Sequence, residues 1–426
     1  MVFLTTIVVL LVLLVIGIPI AISLFVSGLV GYMMTIDIAP GLTALAQIAY
    51  GHMNSFVLAA IPLYVFMGQI MLKGGSGKDL FDFAQRIVGK LPGGLGVAAI
   101  FACAIFAAIS GSSTATVATI GSISIPEMLK RGYERKITAG AVAVSGSLGI
   151  LIPPSISFIL YSLVTSTSVG KLFMAGFIPG IMLALMFAAY TVLVSVLDPA
   201  KRVEKDDTKI PLTFEMFGII AMIFIVLGGI YLGYFTPTEA AAAGVAYALI
   251  FTIFVKRTLT LKLFWAATRD TVGSSAMILM LVAGAAVFGN TLSLLRVPQD
   301  LTMWLSGLDL SPWHFLLAVN LLFLVLGMFM DASAAILVTV PILLPGLEHF
   351  NIDLVWFGVI LVINMEIGAV TPPVGMNLFV VKALRPDYSI GEILMGSLPF
   401  ALLGLLGLAL VMIFPEIALF LPQFMK

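Results

Sequence analysis

The sequence predicts an all-α integral membrane protein built from two inverted repeats, each with a re-entrant helical hairpin and a broken helix. Hydrophobic residues make up 61% of the 426-residue chain and charged residues only 10%, whereas soluble domains carry about 25% charged residues. Residues 112–154 recur in altered form 219 positions later, at residues 331–373. Each copy ends in a Pro-Pro pair inside an apolar segment. Proline lacks an N–H and disfavours helix in the residue before it, so each pair predicts a helix break.

The two copies keep their spacing without a gap. Three matched pairs of residues are separated by 219 positions: Pro126 and Pro345, Gly149 and Gly368, and Pro153 and Pro372. A single Pro-Pro pair is explained as well by an ordinary kink of a membrane helix. Two such interruptions at matched positions of the two halves are typical of the binding site of a secondary transporter. The repeat therefore favours transport over a structural kink.

Apolar runs give the remaining helices, since a spanning helix needs about 20 residues. They predict crossings near residues 3–34, 54–73, 137–160, 171–197, 212–232, 236–256, 272–294, 353–384 and 389–424. The first crossing is expected to kink between Gly17 and Pro19. Two longer runs, 91–129 and 311–347, have polar or glycine-rich centres. Two half-length helices that meet at a tip inside the membrane fit these runs better than full spans, where protein or water covers the tip.

These elements divide the chain into four parts. They are an N-terminal scaffold helix and loop (1–53), a first repeat (54–197), a linker with scaffold helices and an amphipathic arm (198–271), and a second repeat (272–426). The first repeat contains the hairpin of about 91–129 and the broken helix of about 137–160. The second contains the hairpin of about 311–347 and the broken helix of about 353–384.

Short amphipathic segments are expected at residues 78–88 and 258–269, on the cytoplasmic face. They are either arms that bear on a moving domain or linkers that lie on the lipid headgroups. The charged stretch at 198–209 is expected to be a solvated loop.

Basic residues orient the chain. All but three of the 21 Lys and Arg residues fall on one side of the predicted crossings, the exceptions being Lys171, Arg296 and Lys426. The positive-inside rule makes that side cytoplasmic, and the N-terminus with it. An odd number of crossings separates the two hairpins, so the second hairpin enters from the outside. The repeats are therefore predicted to be inverted, as in alternating-access transporters.

Each predicted hairpin tip faces a helix break, with residues 110–116 opposite 149–155 and residues 327–333 opposite 368–374. Broken helices expose carbonyl groups that have no partner. With Ser and Thr hydroxyls, these carbonyls form a cage of hard oxygen ligands suited to a small alkali cation such as Na⁺. Nearby half-helix N-termini present free N–H groups and partial positive charge, which suit a carboxylate. The sequence therefore predicts cation-coupled transport of an organic anion.

Two acidic residues lie in apolar segments near these tips. Asp331 lies at the second tip, where a charge is costly unless it is paired. It is interpreted as a Na⁺ ligand or a supporting anchor, with a helix-capping acid as the alternative. Glu366 either supports the cation site or fixes the helix break by a hydrogen bond. The candidate substrate contacts between the tips are Ser113, Ser155, Ser157, Thr371 and Asn377.

Four motifs resemble those of the large membrane subunit of a TRAP (tripartite ATP-independent periplasmic) transporter. They are Ser110-Gly-Ser-Ser-Thr-Ala-Thr, Gly149-Ile-Leu-Ile-Pro-Pro-Ser, Met330-Asp-Ala-Ser and Gly368-Ala-Val-Thr-Pro-Pro-Val-Gly-Met-Asn377. The resemblance covers essentially the whole chain. It implies a multi-pass transporter of the bacterial inner membrane with an elevator mechanism, in which the hairpins and broken helices move across a fixed scaffold.

The same resemblance implies Na⁺ as the coupling ion, a small membrane subunit as a partner, and a periplasmic binding protein that delivers the substrate. The substrates of the family are organic acids such as C4-dicarboxylates and sialic acid, and the sequence as a whole looks closest to the sialic acid branch. The resemblance places the cations at the tips against the broken helices. The residues there are Ser112, Thr114, Gly149, Pro153, Asp331, Ser333, Gly368 and Thr371.

Other classes fit the residues less well. A stand-alone Na⁺/dicarboxylate symporter of the divalent-anion type shares hairpins and inverted repeats, but it typically carries an Asn-Thr pair at its tips, which residues 112–114 and 331–333 lack. An intramembrane aspartyl protease would need a second aspartate opposite Asp331 within a span. A channel usually builds its pore by rotational symmetry. Nucleic-acid binding is excluded by the lack of a basic stripe, and the chain is predicted not to be an enzyme.

Overall fold

A computed structural model of the chain describes residues 1–36, 38–197, 210–211, 213–307 and 311–425. Within these residues every regular element is helical, as the sequence predicts. Eight of the described helices are long and apolar enough to cross a membrane. The solvated loop predicted at 198–209 lies outside the described residues.

The first four helices are α1 (Val2–Val15), α2 (Ile20–Met33), α3 (Ile38–Met53) and α4 (Ala60–Lys73). The prediction of one kinked crossing over 3–34 is wrong, because α1 and α2 fold back on each other. A Cβ on Gly31 of α2 would lie 3.2 Å from Cγ2 of Thr6 in α1. Gly17 follows α1 with a φ of +88°, and Pro19 is the N-cap of α2. A left-handed residue followed by proline makes a turn here rather than a kink.

Six helices follow: α5 (Ser76–Val88), α6 (Gly94–Ser110), α7 (Ser113–Lys130), α8 (Arg135–Ser145), α9 (Ile156–Thr165) and α10 (Val169–Leu197). The run 91–129 folds as two antiparallel helices, since α6 and α7 contact each other at both ends. At the tip, the hydroxyl oxygens of Ser110 and Thr116 are 2.8 Å apart. At the other end, a Cβ on Gly96 of α6 would lie 3.5 Å from Cε of Met128 in α7.

The helix break predicted within 137–160 lies between α8 and α9. The helix α8 runs into a 3-10 turn, Gly146–Ile150, and residues 151–155 are unwound before α9 begins. The amphipathic segment predicted at 78–88 is helical, as α5.

Three helices connect the two copies: α11 (Phe214–Tyr231), α12 (Pro237–Ile250) and α13 (Leu261–Leu294). The helix α13 has 34 residues and is about 51 Å long at 1.5 Å per residue, well beyond the bilayer core of about 30 Å. The arm predicted at 258–269 is therefore continuous with the crossing predicted at 272–294, because no Gly or Pro separates them. Lys73 at the end of α4 pairs with Asp270 of α13 at 2.7 Å.

The last helices are α14 (Val297–Gly307), α15 (Pro312–Phe329), α16 (Ala332–His349), α17 (Leu354–Gly368), α18 (Met376–Leu384), α19 (Ile390–Ile413) and α20 (Glu416–Leu419). The run 311–347 forms α15 and α16, whose far ends meet where the rings of Phe315 and Phe350 lie 4.9 Å apart. Residues 369–375 are unwound between α17 and α18. The crossing predicted at 389–424 ends earlier, at Ile413, because Pro415 follows and the chain continues in the one-turn helix α20 and a 3-10 turn, Leu421–Phe424.

Two helices occupy stretches that the sequence predicts as connections. The helix α3 packs on α13, and α14 packs on α16. Both are too short and too polar to read as crossings from hydropathy, and tertiary contacts support them.

The second helices of the two hairpins correspond residue for residue. The helix α7 spans residues 113–130 and α16 spans 332–349, the same positions shifted by 219. The peptide bonds Pro153–Pro154 and Pro372–Pro373 are both cis. The helix α7 packs on α18, and α16 packs on α9, so each hairpin contacts the broken helix of the other copy. Such reciprocal packing is what a two-fold relation between the copies produces.

The two copies are also joined between α8 and α19. A Cβ on either Gly140 or Gly396 would overlap a backbone carbonyl oxygen of the opposite helix, so the two helices touch backbone to backbone. Arg135 at the start of α8 pairs with Asp387, in the loop before α19, at 2.9 Å. A hydrogen bond from Arg385 lowers the pKa of Asp387 to about 2. This carboxylate is therefore charged at neutral pH and holds the ends of the two helices together.

Candidate functional site

The first hairpin tip is held against the first helix break by backbone contacts. Gly111 adopts a φ of +60° at the tip, and a Cβ there would lie 2.9 Å from the carbonyl oxygen of Pro154. Gly149 lies equally close to the tip, since a Cβ on it would lie 2.6 Å from the carbonyl oxygen of Ser112. At Gly111 both the left-handed backbone and the close approach require glycine. The structure therefore brings residues 110–116 and 149–155 together.

The second tip is held in the same way. A Cβ on Gly368 would lie 2.6 Å from Cα of Gly327, so the end of α17 touches the end of α15. The backbone N–H of Gly375 donates to the carbonyl of Met328 at 3.2 Å. Residues 327–333 and 368–374 are therefore also brought together, although Gly368 lies against Gly327 whereas its counterpart Gly149 lies against Ser112.

Neutral oxygen atoms crowd the first tip. The hydroxyl of Thr116 donates to the carbonyl of Ser112 at 2.8 Å, and the hydroxyl oxygens of Ser112 and Thr114 are 3.3 Å apart. Among the described residues, no group of three or more His, Cys, Asp or Glu side chains is placed to hold a metal ion. Hydroxyls and unwound backbone carbonyls are the ligands that Na⁺ finds in the broken helices of transporters.

Both tips line a single cavity of about 500 Å³. Six of the predicted site residues lie on its wall: Ser112, Ser113, Thr114, Ser157, Asp331 and Ser333. Oδ2 of Asp331 accepts a hydrogen bond from the backbone N–H of Ser333 at 2.9 Å, so the capping role is present and the same side chain faces the cavity. Of the described residues on the wall, Asp331 alone carries a charge.

Six predicted site residues lie behind the wall rather than on it: Gly149, Pro153, Ser155, Gly368, Thr371 and Asn377. The hydroxyl of Thr371 donates to the carbonyl of Ile367 at 2.6 Å. Ser155 and Asn377 are fully buried, and the amide of Asn377 donates to the carbonyl of Ala143 at 3.1 Å. The hydroxyl of Ser155 donates to the carbonyl of Ile150, whereas Oδ1 of Asn377 has no hydrogen-bond partner among the described residues. Neither side chain lines the cavity, so the expectation that they point into it is not met. Their contact with substrate stays a prediction.

Glu366 lies close to the second break and is buried, with 3% of its surface exposed. Its Oε1 has no hydrogen-bond partner within the described part of the chain. The alternative of a hydrogen bond that fixes the helix break therefore receives no support from this oxygen atom.

Sequence reasoning missed the wall opposite the tips, which α4 and α13 form. Its polar members are Gln69 and Ser274. Gln69 carried a signal, an amide inside an apolar span, whereas nothing in the sequence distinguishes Ser274. A cleft of about 360 Å³ shares Leu72 and Ala118 with the cavity and extends to Lys78. The cavity therefore lies next to a cleft at the end of α4 that carries basic residues.

Residues 7–417 match the profile of a family described as the DctM component of the tripartite ATP-independent periplasmic transporter. The chain belongs to this family. It is 42% identical over 373 residues to the C4-dicarboxylate TRAP transporter large permease protein DctM of Pseudomonas aeruginosa, covering 87% of each chain. It is 36% identical over 413 residues to the sialic acid TRAP transporter large permease protein SiaM of Vibrio cholerae, covering 96% of this chain and 95% of that one. The resemblance carried by the four motifs is confirmed.

A solved structure shares the fold of this DctM-family chain. The YdaH transporter of Alcanivorax borkumensis aligns with a TM-score of 0.60, covering 91% of this chain and 89% of that one at 14% sequence identity. At that identity the likeness concerns the fold alone. The DctM-family chain thus has an all-helical architecture that also occurs in a transporter of very different sequence.

Proposed function

We propose that this DctM-family chain is the large membrane subunit of a Na⁺-coupled secondary transporter that imports an organic acid, either sialic acid or a C4-dicarboxylate. The observation that carries the proposal is the one cavity lined by both hairpin tips. Hydroxyls and unwound carbonyls beside it suit Na⁺. The N-termini of α7 and α9, which also reach the cavity, suit a carboxylate. Ion and acid bound side by side would each favour binding of the other.

The boundaries of the cavity support an elevator mechanism. One wall consists of the hairpins and broken helices, and the opposite wall belongs to α4 and α13. The cavity lies near the Lys73–Asp270 pair and adjoins a cleft that reaches Lys78. By the positive-inside rule this is the cytoplasmic side. We infer that the cavity faces the cytoplasm in this conformation, and that the tips move along α13 to face the other side.

The hairpins are proposed to be re-entrant and inverted. Five crossings lie between them, formed by α8 with α9, and by α10, α11, α12 and α13. With an odd number of crossings, α6 and α7 enter from the cytoplasm and α15 and α16 from the outside. The unwound tips then lie inside the membrane, where the broken helices cover them as a bilayer requires.

The fold-back of α1 changes the predicted side of the N-terminus. The helix α2 runs parallel to α13, with Ala21 beside Gly284 and Gly28 beside Phe288. Because α13 begins on the basic side, both helices end outside, and α1 begins there. We propose a periplasmic N-terminus in place of the cytoplasmic one predicted from a single first crossing.

Cysteine labelling tests this orientation. In intact spheroplasts, Val2→Cys should react with a membrane-impermeant maleimide, and Lys130→Cys, at the cytoplasmic end of α7, should react only after permeabilisation. The native Cys103 is fully buried and should contribute little background. Labelling of Val2→Cys that required permeabilisation would contradict a periplasmic N-terminus.

The substrate and the partners rest on the family. The relative named for C4-dicarboxylate is 42% identical to this chain and the relative named for sialic acid is 36% identical. The sialic acid branch therefore stays a prediction, which these identities do not favour. As a large TRAP subunit of the bacterial inner membrane, the chain would work with a small membrane subunit. A periplasmic binding protein would deliver the acid, so the cavity need not select it alone.

Uptake into proteoliposomes tests the proposed function. The chain and its small subunit would be reconstituted and given labelled succinate or labelled N-acetylneuraminate, with and without an inward Na⁺ gradient and with and without the binding protein. We expect one acid to accumulate only when both are present. Accumulation without the binding protein would instead indicate a stand-alone symporter, and accumulation without Na⁺ would disprove the coupling.

A further inference from the structure

The wall opposite the hairpin tips carries an amide in the middle of an apolar helix. Gln69 of α4 lies between Met67 and Ile70, which are both fully buried. Gln69 itself is half-buried, lines the cavity, and makes no hydrogen bond within the part of the chain that the structure describes. An amide at membrane depth without a partner is costly unless it meets water or a ligand. We therefore expect water or a polar ligand to lie beside Gln69 in the cavity.

Ser274 of α13 lies on the same wall. Serine and threonine side chains within helices often bond to the carbonyl four residues earlier. Thr268 and Thr271 of the same helix do so, at 3.0 Å and 2.8 Å. Ser274 makes no such bond among the described residues, so its hydroxyl is available to the cavity. The neighbouring Ser275 is buried and does not line the cavity, which makes it a matched control.

Neutral hydrogen-bond donors matter for binding an anion in this cavity, because its described wall has no cationic side chain. No Lys, Arg or His side chain lies on the described wall, and Asp331 is negative. An organic anion in the cavity therefore depends on neutral N–H and O–H donors together with bound Na⁺. The amide of Gln69 supplies two N–H donors and Ser274 supplies one O–H donor.

We propose that Gln69 and Ser274 are substrate contacts contributed by the fixed helices α4 and α13 while the cavity faces the cytoplasm. The inference rests on the proposed function. Their N–H and O–H groups bind a carboxylate or hydroxyl oxygen of the acid, and so determine how tightly it is held before release. Because α4 and α13 form the wall opposite the moving tips, these contacts break when the tips face outward. Their effect is therefore confined to the cytoplasmic side.

The test measures the affinity for the acid on each side separately. The chain and its small subunit are reconstituted in proteoliposomes of known orientation, with labelled succinate or N-acetylneuraminate as the probe, whichever the wild type accumulates. Exchange against increasing acid on the cytoplasmic side gives one half-saturating concentration. Uptake with the binding protein gives the other. The variants are Gln69→Met, which keeps the side-chain length, Ser274→Ala, and the control Ser275→Ala.

We expect Gln69→Met to raise the cytoplasmic half-saturating concentration about tenfold, the effect of losing a hydrogen bond to a charged group. Ser274→Ala should raise it about threefold. Neither variant should change the periplasmic value, and Ser275→Ala should change neither. Should Gln69→Met fail to insert, Ser274→Ala against Ser275→Ala makes the same comparison.

Wild-type values on the cytoplasmic side for both variants would overturn the inference. An equal rise on both sides would also overturn it, since the groups would then act through the general packing of the helix. A wild-type complex that moved neither acid would instead overturn the proposed function, and with it the inference. The failures of the two proposals can therefore be told apart.

Discussion

Replacing Gly396 or Gly140 by alanine is expected to prevent α8 and α19 from packing against each other. Either substitution should lower the stability of the protein more than alanine at any other glycine would. Each new Cβ would overlap a backbone carbonyl oxygen of the other helix. A backbone cannot rotate out of the way as a flexible side chain can, and protein interiors leave little free space. Overpacking usually costs about 1–3 kcal/mol and occasionally more. We expect a decrease of about 3 kcal/mol in the free energy of unfolding, measured as a lower thermal midpoint of the purified complex.

The matched control is Gly228→Ala in α11. A Cβ on Gly228 meets no atom within 4 Å, and replacing glycine by alanine in a helix interior is favourable by up to about 1 kcal/mol. This variant should unfold at or above the wild-type temperature. Equal midpoints for Gly396→Ala and Gly228→Ala would show that the two repeats are not held together by this backbone contact.

Replacing Asp331 by asparagine is expected to weaken the dependence of transport on Na⁺ while leaving the fold intact. Asparagine caps helices about as well as aspartate, so the bond to the backbone N–H of Ser333 should persist. The negative charge on the cavity wall is lost, however. At an effective dielectric constant near 20, a unit charge about 4 Å from a cation contributes about 4 kcal/mol, so a rise of at least about tenfold in half-saturating Na⁺ is expected.

Asp353→Asn is the control for this prediction. Asp353 caps α17 by accepting from the backbone N–H of Trp356 at 2.8 Å, but it does not line the cavity. Its replacement should leave the Na⁺ dependence of uptake unchanged. If Asp331→Asn also kept the wild-type Na⁺ dependence, and only Asp331→Ala lowered stability by about 1 kcal/mol, Asp331 would be a capping residue alone.

The duplicated segments were predictable because the residues that shape them, prolines and polar tip residues, lie within the segments themselves. A Pro-Pro pair removes two backbone N–H groups and disfavours helix in the residue before each proline, so the unwound stretches at 151–155 and 369–375 follow from local sequence. Polar tips between two apolar half-runs likewise mark the ends of α6 and α15. These elements are present in the structure close to where the pattern places them.

Other elements depend on contacts that hydropathy does not record. The turn at Gly17 and Pro19 separates α1 from α2, but the same residues could equally have kinked a single helix. The packing of Gly31 on Thr6 makes it a turn. The helices α3 and α14 lack a strong apolar run and are supported by α13 and α16.

At the candidate site, the sequence predicted the type of residue that lines the cavity better than it predicted where each polar side chain points. The hydroxyls of Ser112 and Thr114 and the carboxylate of Asp331 do line a common cavity. Asn377 and Ser155 have the same kind of polar chemistry, yet both are buried and bonded to backbone carbonyls. In an unwound segment the backbone itself needs partners, and a short polar side chain meets that need before it reaches a ligand.

Composition, spacing and proline chemistry were enough to predict a membrane transporter with two copies of a hairpin and a broken helix. Each hairpin and each helix break depends on residues that are close together in the sequence. The opposite wall of the cavity was not visible in that way. Gln69 and Ser274 lie more than 200 positions apart in the chain, and they face the tips only because α4 and α13 pack side by side. Which residues meet across a cavity depends on the packing of distant helices, whereas a helix break depends only on the residues that form it.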